Sequence, residues 1–144
     1  MQQSLQAVSQ LVATLKDFEV MSIDPLPQSG SDRQYFRIYT NREALIGTFN
    51  LNAQENETFI YFSKHFASKG LPVPAIIATN SGCTAYIQSD VGDTSLLNVL
   101  EKEGYTDSVK QLFKDSLSTL VKLQVKGDSG LNYTKCLTAR EFGI

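Results

Sequence analysis

A single helical stretch interrupts what otherwise reads as a run of five β-strands, and that interruption limits the folds open to this chain. From Asn56 to Lys69, Phe59, Phe62 and Phe66 recur three and four residues apart and so share one helical face. Gly70 stops the stretch and Pro72 follows it, as helix ends usually read. Before it, the segments Phe18 to Leu26, Gln34 to Thr40 and Ala44 to Phe49 are short and rich in β-branched and aromatic residues. Pro25 and Pro27 close the first, and Gln28-Ser29-Gly30-Ser31-Asp32 and Asn41-Arg42 supply polar reversals. After the helix, Ala75 to Thr79 and Thr84 to Asp90 flank Asn80-Ser81-Gly82, a hairpin signal. A three-strand meander, a helix and a hairpin make an α+β plan with a five-stranded antiparallel sheet.

Helices flank this block. Leu5, Val8, Val12 and Leu15 mark an amphipathic helix at the start. Gly92-Asp93-Thr94-Ser95 opens a short helix with Asp93 or Thr94 as N-cap. Asp107 to Lys122 carries an apolar stripe of Val109, Leu112, Phe113, Leu117, Leu120 and Val121. Gly127 to Ile144 shows no period. The chain thus divides into a helix (1–16), a sheet-bearing lobe (17–91) and a helical exit (92–144). Its 144 residues, 42% apolar, suffice for one core. A net charge of −2 argues against nucleic acid or an anionic membrane as the main partner. No apolar run approaches the roughly 18–20 residues of a membrane span, and the start lacks a signal-peptide pattern. With two widely spaced cysteines, a cytosolic protein with free thiols is expected. The lone histidine, His65, falls on a helix surface and leaves no scope for a His-rich metal site.

The turn before the second strand is the first candidate site. Cradling a phosphate takes a tight turn whose backbone N–H groups are free to face oxygen. Gly30, Ser31 and Asp32 can form one, and Ser31 adds a hydroxyl. Arg33 and Arg37 bring two guanidinium groups to the same hairpin. An ordinary polar hairpin with two solvated arginines would have the same sequence.

Three segments, Gly30-Ser31-Asp32-Arg33-Gln34-Tyr35-Phe36-Arg37, Gly70-Leu71-Pro72-Val73-Pro74 and Gln88-Ser89-Asp90-Val91-Gly92-Asp93-Thr94-Ser95-Leu96, together resemble landmarks of the aminoglycoside-phosphotransferase and choline-kinase-like family. The resemblance spans about residues 20–125 and is nearest to the bacterial amino-sugar kinases, which act on N-acetylmuramate or N-acetylglucosamine. It implies a protein-kinase-like N-terminal lobe that binds ATP with Mg²⁺ and passes the γ-phosphate to a sugar hydroxyl. In such a lobe the Ser89 C=O and Val91 N–H hold adenine, with Gln88 at the gatekeeper position. Glu55 or Glu57 supplies the helix carboxylate that orients a cation at the phosphates. At about 100° per residue Glu55 falls between Phe62 and Phe66 on the inward stripe, provided the helix reaches back that far.

Two departures from the family bear on activity. The strand Ala44-Leu45-Ile46-Gly47-Thr48-Phe49 has no lysine for the α/β-phosphates, which leaves Arg33 or Arg37 to supply that charge. After Leu123, Asp128 is the sole aspartate and no histidine follows, so the His-Gly-Asp loop and the Mg²⁺ ligands are missing. The expectation is therefore an ATP-binding lobe, inactive alone, whose missing helical lobe would hold the sugar. An apolar seam left by such a cut would favour self-association. The competing expectation is a non-catalytic α+β nucleotide-binding or regulatory module.

Overall fold

The computed structural model describes residues 2–28 and 30–137; Met1, Ser29 in the polar turn and residues 138–144 of the tail lie outside the described residues. Helix α1 (Gln2–Val12) precedes strands β1 (Val20–Pro25), β2 (Gln34–Thr40) and β3 (Ala44–Phe49). Helix α2 (Ala53–Ser68) then leads to strands β4 (Ile76–Thr79) and β5 (Ala85–Ser89), followed by helices α3 (Leu96–Glu103) and α4 (Asp107–Asp128). A 3-10 turn, Tyr133–Lys135, lies in the tail. The strands form one antiparallel sheet in the order β1-β2-β3-β5-β4, so the chain leaves β3 through α2 and returns at the far edge.

Side chains alternate across this sheet. Phe36, Ile38, Leu45, Phe49, Ala85 and Ile87 face α1 and are buried with its Val8, Leu11 and Val12. Burying one such aliphatic side chain is worth about 1.5–3 kcal/mol, so these three residues hold the helix to the sheet. Leu5, expected on the inward face, is exposed. Ser4 and Leu11 take that face instead, and the Ser4 hydroxyl donates to the Gln34 side chain. The opposite face carries two cross-strand rows, Tyr35–Thr48–Tyr86 and Arg37–Ile46–Gln88.

Helix α2 begins three residues earlier than its apolar pattern suggested, capped by the Asn52 side chain on the Glu55 N–H. Its buried residues are Asn56, Ile60 and Ser63, and the three phenylalanines lie beside them, less deeply covered. Phe59 stacks on Tyr86 at 5.3 Å between centroids, and Phe62 on Phe66 at 5.8 Å. Asn56 accounts for this rotation. Its Nδ2 donates to the Asn50 carbonyl (3.0 Å) and the Cys83 carbonyl (2.7 Å), tying the helix to the end of β3 and to the β4–β5 turn. These two bonds from the buried Nδ2 fix which side of the helix faces inward, although Asn56 Oδ1 finds no partner among the described residues.

Helix α3 is capped by Ser95, with Asn98 completing a capping box, rather than by Asp93 or Thr94. Helix α4 runs past Lys122 to Asp128, and only Val109 and Gly127 along it are buried. Its apolar stripe is otherwise exposed, Leu117 at 63% and Val125 at 70%. His65 Nε2 lies 2.7 Å from the Gly127 carbonyl, so the ring carries its proton there and ties α2 to α4. No helix among the described residues is long and apolar enough to cross a membrane.

Candidate functional site

The sheet face turned away from α1 gathers the charged residues. Arg33, just before β2, places Nη2 at 2.9 Å from Glu55 Oε1. Its guanidinium lies over the Phe59 ring, 5.4 Å from the centroid, and Phe59 in turn stacks on Tyr86. The second Glu55 oxygen accepts from Asn50 Nδ2 at 2.9 Å. Arg33 is thus held by a carboxylate at its tip and a ring along its flank. Its Nε is nevertheless buried with no partner among the described residues, and so is Gln88 Oε1. An unpaired buried polar atom costs about 1–3 kcal/mol, and Thr48 Oγ1 and Asn56 Oδ1 are in the same state.

The choice between the two glutamates follows from the helix start and from the bonds Glu55 makes. Because α2 opens at Ala53, Glu55 lies in its first turn and reaches Arg33, whereas Glu57 is exposed. Glu57 acts at a distance on Cys83: burial first, and then the Glu57 charge, push that thiol up, away from the nucleophilic thiolate.

The two arginines do not converge. Arg37 Nε donates to Asp90 Oδ2 at 2.7 Å and Nη1 to Asp93 Oδ2 at 3.2 Å. These bonds, Asp90 first and Asp93 second, raise the Arg37 pKa, so the group keeps its charge. Asp90 Oδ1 accepts from the Gly92 N–H at 2.8 Å, and Gly92 sits at φ +87°, where glycine is favoured. Asp93 is engaged by Arg37, which leaves Ser95 to cap α3.

The other candidates occupy the rim. Gly30, Ser31 and Asp32 are exposed, and a Cβ on Gly30 would meet nothing within 4 Å. The turn therefore stands open beside Arg33. Ser89 is bound into the sheet edge, its N–H on the Ala75 carbonyl and its hydroxyl accepting from the Ala75 N–H. Val91 is 78% exposed between Asp90 and Gly92. Among the described residues no three of His, Cys, Asp or Glu come together as a metal site. Sequence reasoning did not single out Asn50, Asn56, Phe59 or Tyr86 for the site. Asn56, polar inside an apolar helical stretch, was the readable signal.

Tyr86 offers a pH test of this packing. Burial above all pushes its pKa from 10.0 up to about 12. The fold therefore favours the neutral phenol, and that stabilisation is full below about pH 10 and is lost as the pH rises towards 12. An ultraviolet titration should show one tyrosinate step near pH 12 that Tyr86→Phe removes. Titration curves of wild type and Tyr86→Phe that differ near pH 10 and not near pH 12 would mean that Tyr86 is solvated.

Set against protein-family models and curated proteins, the chain matches none.

Proposed function

We propose that this chain is the ATP-binding lobe of a small-molecule kinase of the aminoglycoside-phosphotransferase-like kind its sequence resembles. The phosphoryl acceptor is a hydroxyl of a sugar or amino sugar. The Arg33–Glu55 pair carries the reading. Phosphoryl transfer in kinases relies on a cation held by a helix carboxylate at the α/β-phosphates. Here β3 presents Thr48 and no lysine, and the cation comes from the start of β2. The Arg33 side chain keeps 17% of its surface exposed and stands beside the open Gly30-Ser31-Asp32 turn, where its guanidinium can meet a phosphate oxygen.

In this reading the base packs against Ile46 and Gln88 and takes its edge contacts from the Ser89 C=O and Val91 N–H. Mg²⁺ enters with the ATP phosphates, and its protein ligands belong to a second, helical lobe. The exposed stripe of α4 supports that lobe as its cover. A concentration-dependent dimer in sedimentation would instead name a second copy of the chain.

The test is a backbone-amide titration of the labelled chain with ATP, with and without Mg²⁺. Amide shifts should centre on residues 30–33, Glu55 and 88–91. Arg33→Ala should weaken ATP roughly tenfold or more, the loss of a charge-assisted bond worth about 1.5–3 kcal/mol, and leave adenosine nearly unaffected. A chain that ignores ATP under both conditions is a binding or regulatory module of another kind.

A further inference from the structure

Arg37 is the best-anchored charged side chain on the site face, yet its bonds run away from the proposed phosphate position. It lies in the same cross-strand row as Ile46 and Gln88 and reaches over to the turn that leaves β5. Asp90 is held from both sides there. One oxygen takes the Arg37 Nε–H at 2.7 Å and the other the Gly92 N–H at 2.8 Å. Asp93 adds a second anchor to the guanidinium at 3.2 Å. Residues 90–93 are thereby fastened to β2, a strand more than fifty positions earlier. Val91, between the two anchored aspartates, makes no part of this clamp and keeps its side chain exposed.

We infer that Arg37 is a positioning residue for base recognition: it holds the 90–93 turn so that the Ser89 C=O and the Val91 N–H stay aligned for the edge of a purine. This rests on the nucleotide reading above and changes what Arg37 does within it. A phosphate ligand would sense the triphosphate. A clamp on the base turn senses the base whether phosphates are attached or not. The chemistry favours the clamp, because Asp90 and Asp93 fix two of the five N–H groups at the 90–93 turn and offset the positive charge that would draw a phosphate. Fixing the turn in advance also removes an ordering cost that the ligand would otherwise meet on binding.

The experiment compares wild type with Arg37→Gln, Arg37→Lys and Asp90→Asn, by amide hydrogen exchange and by titration with adenosine and with ATP. In Arg37→Gln the Gly92 amide should exchange faster, and adenosine and ATP should weaken by the same factor, roughly tenfold. Arg37→Lys, which can still meet Asp90, should recover part of both effects. Asp90→Asn should reproduce the Arg37→Gln pattern. Unchanged Gly92 exchange in Arg37→Gln overturns the clamp without reference to any nucleotide. Faster exchange with unaltered adenosine affinity, or a loss confined to ATP, overturns the positioning role. A wild-type chain that binds neither adenosine nor ATP removes the nucleotide reading and this inference with it.

Discussion

Valine in place of Gly47 should cost the chain about 3 kcal/mol of folding stability, enough to lower its unfolding midpoint by roughly 10 °C. Gly47 lies in β3 directly beneath α1. A Cβ there would stand 2.4 Å from Val8 Cγ1, 3.1 Å from Ile38 Cδ1 and 3.4 Å from Val8 Cγ2. None of these atoms has room to retreat, since Val8 and Ile38 are both fully buried. Alanine should already destabilise, by about 1–2 kcal/mol, although a strand glycine replaced by alanine ordinarily gains about 0.5–1 kcal/mol from the unfolded chain. The clash outweighs that gain. The diagnostic is the pair: Val8→Ala opens the space that the methyl group of Gly47→Ala would fill, so the two changes together should cost less than their sum. Strictly additive losses in denaturant melts would show that α1 does not ride on β3 at this point.

How much of this was legible beforehand depends on the range over which each feature is determined. Strands β2 and β3 coincide with the segments read from composition and turns, because alternation and reversal chemistry are local. The helix start brings Glu55 into the first turn of α2, but its choice over Glu57 comes from its bonds to Arg33 and Asn50. What the pattern did not show depends on partners far along the chain. The phenylalanine stripe reads as the inward face of α2, but Asn56 rotates the helix through bonds to the Asn50 and Cys83 carbonyls. Arg37 reads as a phosphate contact from its hairpin neighbours, and nothing in the sequence hints at its bonds to Asp90 and Asp93, 53 and 56 residues away. A period in the sequence reports which residues share a face. It does not report which polar group across the sheet will claim a given side chain.

The 144-residue chain should transfer no phosphate to N-acetylmuramate or N-acetylglucosamine, even at saturating Mg-ATP, while still showing the amide shifts of nucleotide binding. Phosphoryl transfer of this kind is positioning plus electrostatic stabilisation, and a base that takes the acceptor proton and the metal-binding carboxylates do both. The histidine and three of the aspartates that could stand in for them are already engaged. His65, the only histidine, gives its Nε2 to the Gly127 carbonyl. Asp128, the only aspartate after Leu123, accepts from the Tyr133 hydroxyl, a bond that raises the Tyr133 pKa. Asp90 and Asp93 are bound to Arg37. Glu55, whose pairing with Arg33 the nucleotide reading assigns to orienting phosphates, has both oxygens bonded, one to Arg33 and one to Asn50. Phosphorus NMR of the sugar, followed alongside ADP release, separates transfer from slow hydrolysis. ADP without sugar phosphate would indicate water reaching a loosely held γ-phosphate. Sugar phosphate formed at a steady rate, and lost in Glu55→Gln, would instead make Glu55 the base and the Arg33 pair a catalytic rather than an orienting device.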